Sequence, residues 1–213
     1  MDFTAYALSQ LPPAPARVLE VGCGHDGGVA PGLAEAGYEV LAIDPDAPEG
    51  PLYRRITLAE LEDPGPFGAV VAGRVLHHVD PLGPALDKLA GLAPLLVLDE
   101  FAWNHMDDPT VEWYEGQHRL LRAAGRNPKG PPDLADWRAK HAELHPYETL
   151  RAELDARYEQ RQFEWQPYFY RWLEGPATEG LEEALIAAGA IRPIGFRYAG
   201  VRRETVRSSA DSR

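Results

Sequence analysis

One cysteine, few lysines and no long apolar run are the first features of this sequence. Cys23 alone excludes an intramolecular disulfide, and one thiol cannot supply the cysteine cluster of a structural zinc site, so no metal is expected. No uninterrupted apolar stretch approaches the roughly 20 residues of a membrane-spanning helix. The opening MDFTAYALSQLPP carries no basic segment ahead of an apolar one, and the expectation is a cytoplasmic protein with no membrane partner. Positive charge is also scarce. The formal net charge is -12, with acidic residues spread along the chain, so the long-range field repels phosphate backbones and nucleic acid is a poor expectation for a partner. No internal repeat stands out at solenoid periods, and nothing in the pattern sets an oligomeric state.

What is present fits one α/β domain: 213 residues, 45% of them hydrophobic, with buried-strand runs alternating with helical stretches. The runs are RVLEV (Arg17 to Val21), YEVLAI (Tyr38 to Ile43), GAVVAG (Gly68 to Gly73) and PLLVLD (Pro94 to Asp99), with a weaker strand over Leu52 to Ile56. VAPGLAEAGY and PLGPALDKLAGL read as helices between them, the first ending at Gly37. That rhythm predicts βαβ units around a parallel sheet. It breaks after Asp99. Asp108-Pro109 opens a helix running to Gly125, and Asp133 opens another that ends before His145-Pro146. Residues 101–145 are therefore a helical insertion into a single domain spanning 1–213. A helix from Tyr147 to Ala156 leads into RYEQRQFEW, a second helical excursion covers 166–188, and IRPIGFRYAGVRRETV alternates as one strand or a hairpin with an antiparallel edge. The final SSADSR is expected to fray. All five tryptophans (103, 113, 137, 165 and 172) fall between the fourth parallel strand and the final helix, which concentrates aromatic surface in the insertions.

The most informative stretch is GCGHDGG directly after RVLEV, where glycines let backbone approach a ligand at the carboxyl edge of the sheet. Gly22, Gly24 and Gly27 satisfy G-x-G-x-x-G, and Asp44, at the end of the second strand, is placed to take two ribose hydroxyls. Those features alone suit a nicotinamide dinucleotide equally well. Glu20 separates the readings, because a carboxylate at the loop's mouth would oppose a pyrophosphate and attract a sulfonium or an ammonium. Taken together, LEVGCGHDGG, VLAIDPD and FGAVVAGRVLHHVD resemble the first, second and fourth sequence motifs of class I S-adenosylmethionine-dependent methyltransferases, over roughly the first hundred residues.

The resemblance implies a Rossmann-like methyltransferase fold: a mostly parallel seven-stranded sheet, an antiparallel C-terminal strand and here a helical lid insertion. It implies S-adenosylmethionine as cofactor, with S-adenosylhomocysteine as product. Glu20, Gly22, Cys23 and Gly24 would hold the methionine part and Asp44, followed by Pro45, the ribose. The adenine would rest against LAELED and against backbone at Arg74 and Val75. The sequence departs from the common E-x-G-x-G-x-G loop by carrying Asp26 at the third glycine.

Methyl transfer from a sulfonium is an in-line displacement, so positioning supplies most of the acceleration and a side-chain base helps only where the acceptor must lose a proton. His78 and His105 are the candidate bases; His77 reads as structural, and Cys23 as a small residue in a tight place. Asp99, Glu100 and His105 are placed just beyond the next strand, where acceptor-facing groups of such folds collect. Trp113, Tyr114, His118 and Leu121 share one helical face, and Trp103, Trp113, Tyr114 and His118 are candidate acceptor contacts beneath a lid. The expected activity is methylation of a small-molecule substrate. A protein methyltransferase and a non-catalytic cofactor-binding module are the alternatives. An oxidoreductase is disfavoured by Glu20 and by the lack of a Y-x-x-x-K motif.

Overall fold

The run RVLEV folds as predicted into a strand buried at every position after its first, and the rest of the sheet grows outward from it. The computed structural model describes residues 2–63 and 65–204; the predicted fraying of SSADSR lies outside these residues. In chain order the elements are α1 (Phe3–Gln10), β1 (Arg17–Val21), α2 (Ala30–Glu35), β2 (Glu39–Ile43), β3 (Tyr53–Arg54), β4 (Ala69–Gly73), α3 (Leu82–Leu92) and β5 (Leu95–Phe101). There follow α4 (Asp108–Ala123), α5 (Leu134–Lys140), α6 (Tyr147–Arg157), β6 (Tyr158–Gln166), α7 (Pro176–Ala187) and β7 (Gly195–Arg202).

The seven strands lie in the order β3-β2-β1-β4-β5-β7-β6. Only β7 runs against the others, pairing antiparallel with β5 and with β6. Successive residues of a strand point to opposite faces, and the alternation sorts the core into two layers. Leu19, Val21, Val70, Ala72, Leu96 and Leu98 pack with α3 and α6 on one face, whereas Val18, Val40, Val71 and Val97 pack with α1 and α2 on the other. A third, aromatic cluster forms beyond the carboxyl end of β5. It gathers Phe101, Tyr114, Phe169 and Ile194 with Trp103, Trp113, Trp137 and Trp172 packed around them.

Several boundaries differ from expectation. β3 is only two residues long, because the chain leaves the sheet before Ile56. The helix expected to open at Asp108-Pro109 is capped one residue earlier, by Asp107 accepting from Thr110 N–H. α5, capped by Asp133, stops at Lys140 and does not reach His145. The ring of His141 lies 2.7 Å from the Trp137 carbonyl through Nδ1, so the acceptor that another helical turn would use is already engaged. Asp99 and Glu100 lie within β5, not beyond it. Trp165 belongs to β6, at the sheet edge, and not to an insertion.

Candidate active site

A cavity of roughly 400 Å³ opens at the carboxyl ends of β1, β2 and β4. Four features build it. The first is the glycine turn after β1. Gly22 has φ +80°, and a Cβ there would fall 2.5 Å from the Cβ of Val75, so only glycine lets the two cavity walls meet. The second is Asp44, half-buried at the end of β2, whose Oδ1 accepts from Asp46 N–H at 2.8 Å. The third is Ile56 to Ala59, the segment that turns away after β3 and supplies an apolar wall. The fourth is the loop after β4, which contributes Val75, His78 and Val79.

Glu20 is not at an open mouth. It is 2% exposed and turned beneath the loop, where Oε1 accepts from Val29 N–H at 2.8 Å and Oε2 has no hydrogen-bond partner among the described residues. The reason is steric: Gly28 leaves space that a side chain would take from the carboxylate. Burial pushes its pKa up to about 7 against the pull of the Val29 and Ala30 amides. Cys23 is buried beside it, its thiol pushed up to about 12 by burial and by the charges of Glu20 and Asp44, which keeps it protonated and unreactive.

The loop after β4 is held from below by Glu100. Its Oε1 accepts from Val75 N–H at 2.9 Å and Leu76 N–H at 2.6 Å, and Oε2 lies 2.6 Å from His77 Nδ1. Arg74 begins the loop at φ +56°, a left-handed conformation costly for a side-chain-bearing residue, and donates its N–H to Asp99 O at 2.6 Å. Val75 lines the cavity; Arg74 does not. His78 does, and surrounding protein together with neighbouring His77 lowers its pKa, so its imidazole is neutral and able to accept a proton near pH 7.

His105 is elsewhere. Its Nε2 lies 2.6 Å from Glu148 Oε1, and its ring sits beside Tyr147 and Trp165 at 4.8 and 5.5 Å between centroids, away from the cavity walls. The same contact holds the Glu148 carboxyl below its ordinary pKa. Of the four expected acceptor contacts, none lines the cavity. Trp103 Nε1 donates to His145 O at 3.1 Å, Tyr114 OH donates to Pro131 O at 2.7 Å, His118 Nε2 lies 3.2 Å from Gly130 O, and Trp113 is half-buried in the aromatic cluster.

Sequence reasoning missed three groups. Glu182, with no exposed surface, accepts from the N–H groups of Tyr168, Phe169 and Tyr170 at 2.7 to 2.9 Å and so fixes the turn that carries Arg171. Arg171 reaches Asp99 Oδ2 at 3.1 Å. Asp99 also lies 3.6 Å from Arg197, and burial raises its pKa while these arginines oppose the shift. His145 donates its N–H to His77 O at 3.0 Å, and its Nε2 lies 2.9 Å from Val79 O. The segment after α5 is thereby tied to the cavity's own wall. No local pattern announces a partner 66 residues away.

A seven-stranded sheet with one reversed strand, and a glycine turn facing an acid at its carboxyl edge, define an α/β protein of the nucleotide-binding kind. The methyltransferase-domain family matches residues 1–164, and the chain belongs to that family. An uncharacterised methyltransferase of Mycobacterium tuberculosis is 41% identical over 88 residues, a match covering 35% of this chain and 44% of that relative, so it spans less than half of the relative's length. Among solved structures, an S-adenosylmethionine-dependent methyltransferase from Mesorhizobium loti superimposes with a TM-score of 0.57 at 18% identity, covering 93% of this chain and 96% of the other. The geranyl diphosphate C-methyltransferase of Streptomyces coelicolor, in complex with Mg2+, geranyl diphosphate and S-adenosylhomocysteine, gives 0.60 at 17% identity over 94% and 78%. Magnesium protoporphyrin IX methyltransferase from Synechocystis, with bound S-adenosylhomocysteine, gives 0.52 at 20% over 94% and 80%. At these identities the likeness is one of fold.

Proposed function

We propose that this chain transfers a methyl group from S-adenosylmethionine to a small-molecule acceptor. The observation that carries the reading is the roughly 400 Å³ cavity in which Asp44 and the Gly22–Val75 approach face an apolar wall. Its volume is within the usual range for a small-ligand site. Family membership supports the cofactor, as do the adenosyl-homocysteine complexes of the Streptomyces and Synechocystis proteins, whose named substrates are small molecules.

When bound, the cofactor supplies an activated methyl carbon. The work of this chain is to hold and enclose. Asp44 accepts from the ribose hydroxyls, and Ile56, Leu58 and Val79 offer an apolar slot for the adenine. Asp44, which lines the cavity beside the glycine turn, favours an ammonium and a sulfonium over a pyrophosphate. Where the acceptor must lose a proton, His78 receives it. The tryptophan-rich segment 102–145 acts as the lid, since His145 already grips His77 and Val79.

The test is thermal unfolding with and without S-adenosylhomocysteine, on the parent and on Asp44→Ala. Ligand at about 100 times Kd stabilises by roughly 2.7 kcal/mol, which for a chain of this length is on the order of 5 to 10 °C. The shift is expected in the parent and not in the variant. A shift with NADH and none with S-adenosylhomocysteine overturns the reading.

A further inference from the structure

In a chain of net charge -12, the stretch 119–129 is an exception: it carries Arg119, Arg122, Arg126 and Lys129 within a few turns. The loop that follows α4 separates two hollows sharing Pro128. The smaller, of roughly 310 Å³, is walled by Arg126, Asn127, Lys129, Arg171 and Glu174. The lining supplies three cations and one acid, with Glu174 paired to Arg126 and Arg171 paired to Asp99. The larger hollow adds Arg119 and Arg122 on the far side of the loop, where Glu115 is occupied in capping α5 through Leu134 N–H at 2.9 Å.

Arg171 makes this more than a basic surface. It reaches from the smaller hollow to Asp99 Oδ2, and Asp99 pairs in register with Gly73 at the end of β4, two residues before cavity-lining Val75. One guanidinium therefore links the hollow to a residue near the carboxyl end of β5. The turn carrying it is fixed by Glu182 through three backbone N–H groups. Arginine forks beside a lysine on a fixed scaffold match the oxygens of a phosphate or a carboxylate.

We propose that this hollow receives the oxyanion group, phosphate or carboxylate, of the methyl acceptor, held by Arg126, Lys129 and Arg171. The proposal rests on the methyltransferase reading and narrows its substrate class to anionic small molecules. The surrounding acidic surface directs anions away from the rest of the molecule and leaves this basic stretch to attract them.

Inorganic pyrophosphate is the probe, titrated calorimetrically against the parent and against an Arg126→Ala/Lys129→Ala double variant, with S-adenosylhomocysteine titrated separately into both. Both mutated residues are exposed, so the fold is expected to survive, and unchanged homocysteine-ligand binding verifies it. Saturable pyrophosphate binding, weakened at least tenfold in the variant, is the expected result. No saturable binding, equal binding by the variant, or preference for an RNA oligomer over pyrophosphate overturns the site. In a second arm, methyl-labelled S-adenosylmethionine is incubated with a metabolite extract, and labelled products are expected to be retained on an anion exchanger. Label in neutral products alone overturns the acceptor assignment and leaves methyl transfer standing, whereas failure of S-adenosylhomocysteine to bind the parent strikes the underlying reading instead.

Discussion

Glu20, Glu100 and Glu182 are each at most 2% exposed, and each places its carboxylate under a turn to collect backbone N–H groups. A tight turn leaves amides that the regular ladders do not satisfy, and a buried amide without an acceptor is costly. A carboxylate offers about four acceptor positions in one group, so one side chain satisfies a whole turn. Glu182 gives the sharpest test. Glu182→Ala strands the buried donors of Tyr168 and Phe169 and the half-buried donor of Tyr170, at about 1–3 kcal/mol for each buried one, and urea unfolding is expected to register a loss of about 3 kcal/mol or more. Glu182→Gln, which keeps one acceptor oxygen, should lose less. Equal midpoints for parent and Ala variant would sink this account. Glu20 and Glu100 were singled out in the sequence, one as a charge at the loop's mouth and the other as an acceptor-facing group, but not as acceptors for a turn's amides, and Glu182 was not singled out at all. The amide partners of Glu100 lie 24 and 25 residues upstream, and those of Glu182 lie 12 to 14 residues upstream in another element. Neither relation leaves a local mark.

The lid elements illustrate how much a pattern can say about an element without saying what it touches. The amphipathic face of α4 was readable, and Tyr114 and His118 are buried, but Tyr114 enters the aromatic cluster around Phe101 and Phe169 and His118 lies against Gly130 O, neither of them facing the cavity. Periodicity identifies a buried face; it does not identify the neighbour. α5 ended early for a similar reason, since the competing acceptor contact of His141 is a side-chain effect invisible to helix propensity. The loop after α4 is pinned by Tyr114 OH on Pro131 O and by Gly130, where a Cβ would crowd Trp172 and the Tyr114 hydroxyl. Tyr114→Phe keeps the ring against Phe169, 4.4 Å away between centroids, and removes only the hydrogen bond. Amide hydrogen exchange over residues 126–132 should then quicken about fivefold, corresponding to roughly 1 kcal/mol, with β1 and β4 unaffected. Unchanged exchange in that loop would mean the contact does not hold it.

For the molecule as a whole, buried acids set the response to pH. The folded-state pKa of Glu20 is raised to about 7 from an ordinary 4.5, so the folded protein holds a proton that the unfolded chain has released. Its contribution to stability is complete below pH 4.5 and lost as pH rises through 7, amounting to about 3 kcal/mol. Asp99 and Glu182, also raised by burial, act in the same direction. Asp63, lowered to about 2 by Arg17, opposes them only in strong acid, where its contribution is lost as pH falls. Urea unfolding of the parent should therefore show stability decreasing between pH 5 and 8, and Glu20→Gln should flatten that slope. Parallel slopes would place the titration elsewhere. At this scale the sequence was at its most readable. Strand runs and the alternation of β and α were recoverable, because strands covered on both faces read as continuous apolar stretches; the reversed last strand came from the family resemblance. The course of 102–145 across the loop after β4 was not, since it depends on contacts between segments far apart in sequence.

The position of β7 bears on how the protein is made. β5 and β6 are neighbours only through β7, the last of the described strands to be synthesised. Until it emerges from the ribosome, both strands present unpaired hydrogen-bonding edges and β6 has no place in the sheet. The nascent chain carries the open edge of β5 from residue 101, and that of β6 from residue 166, until β7 follows at Gly195, so the sheet closes from its interior.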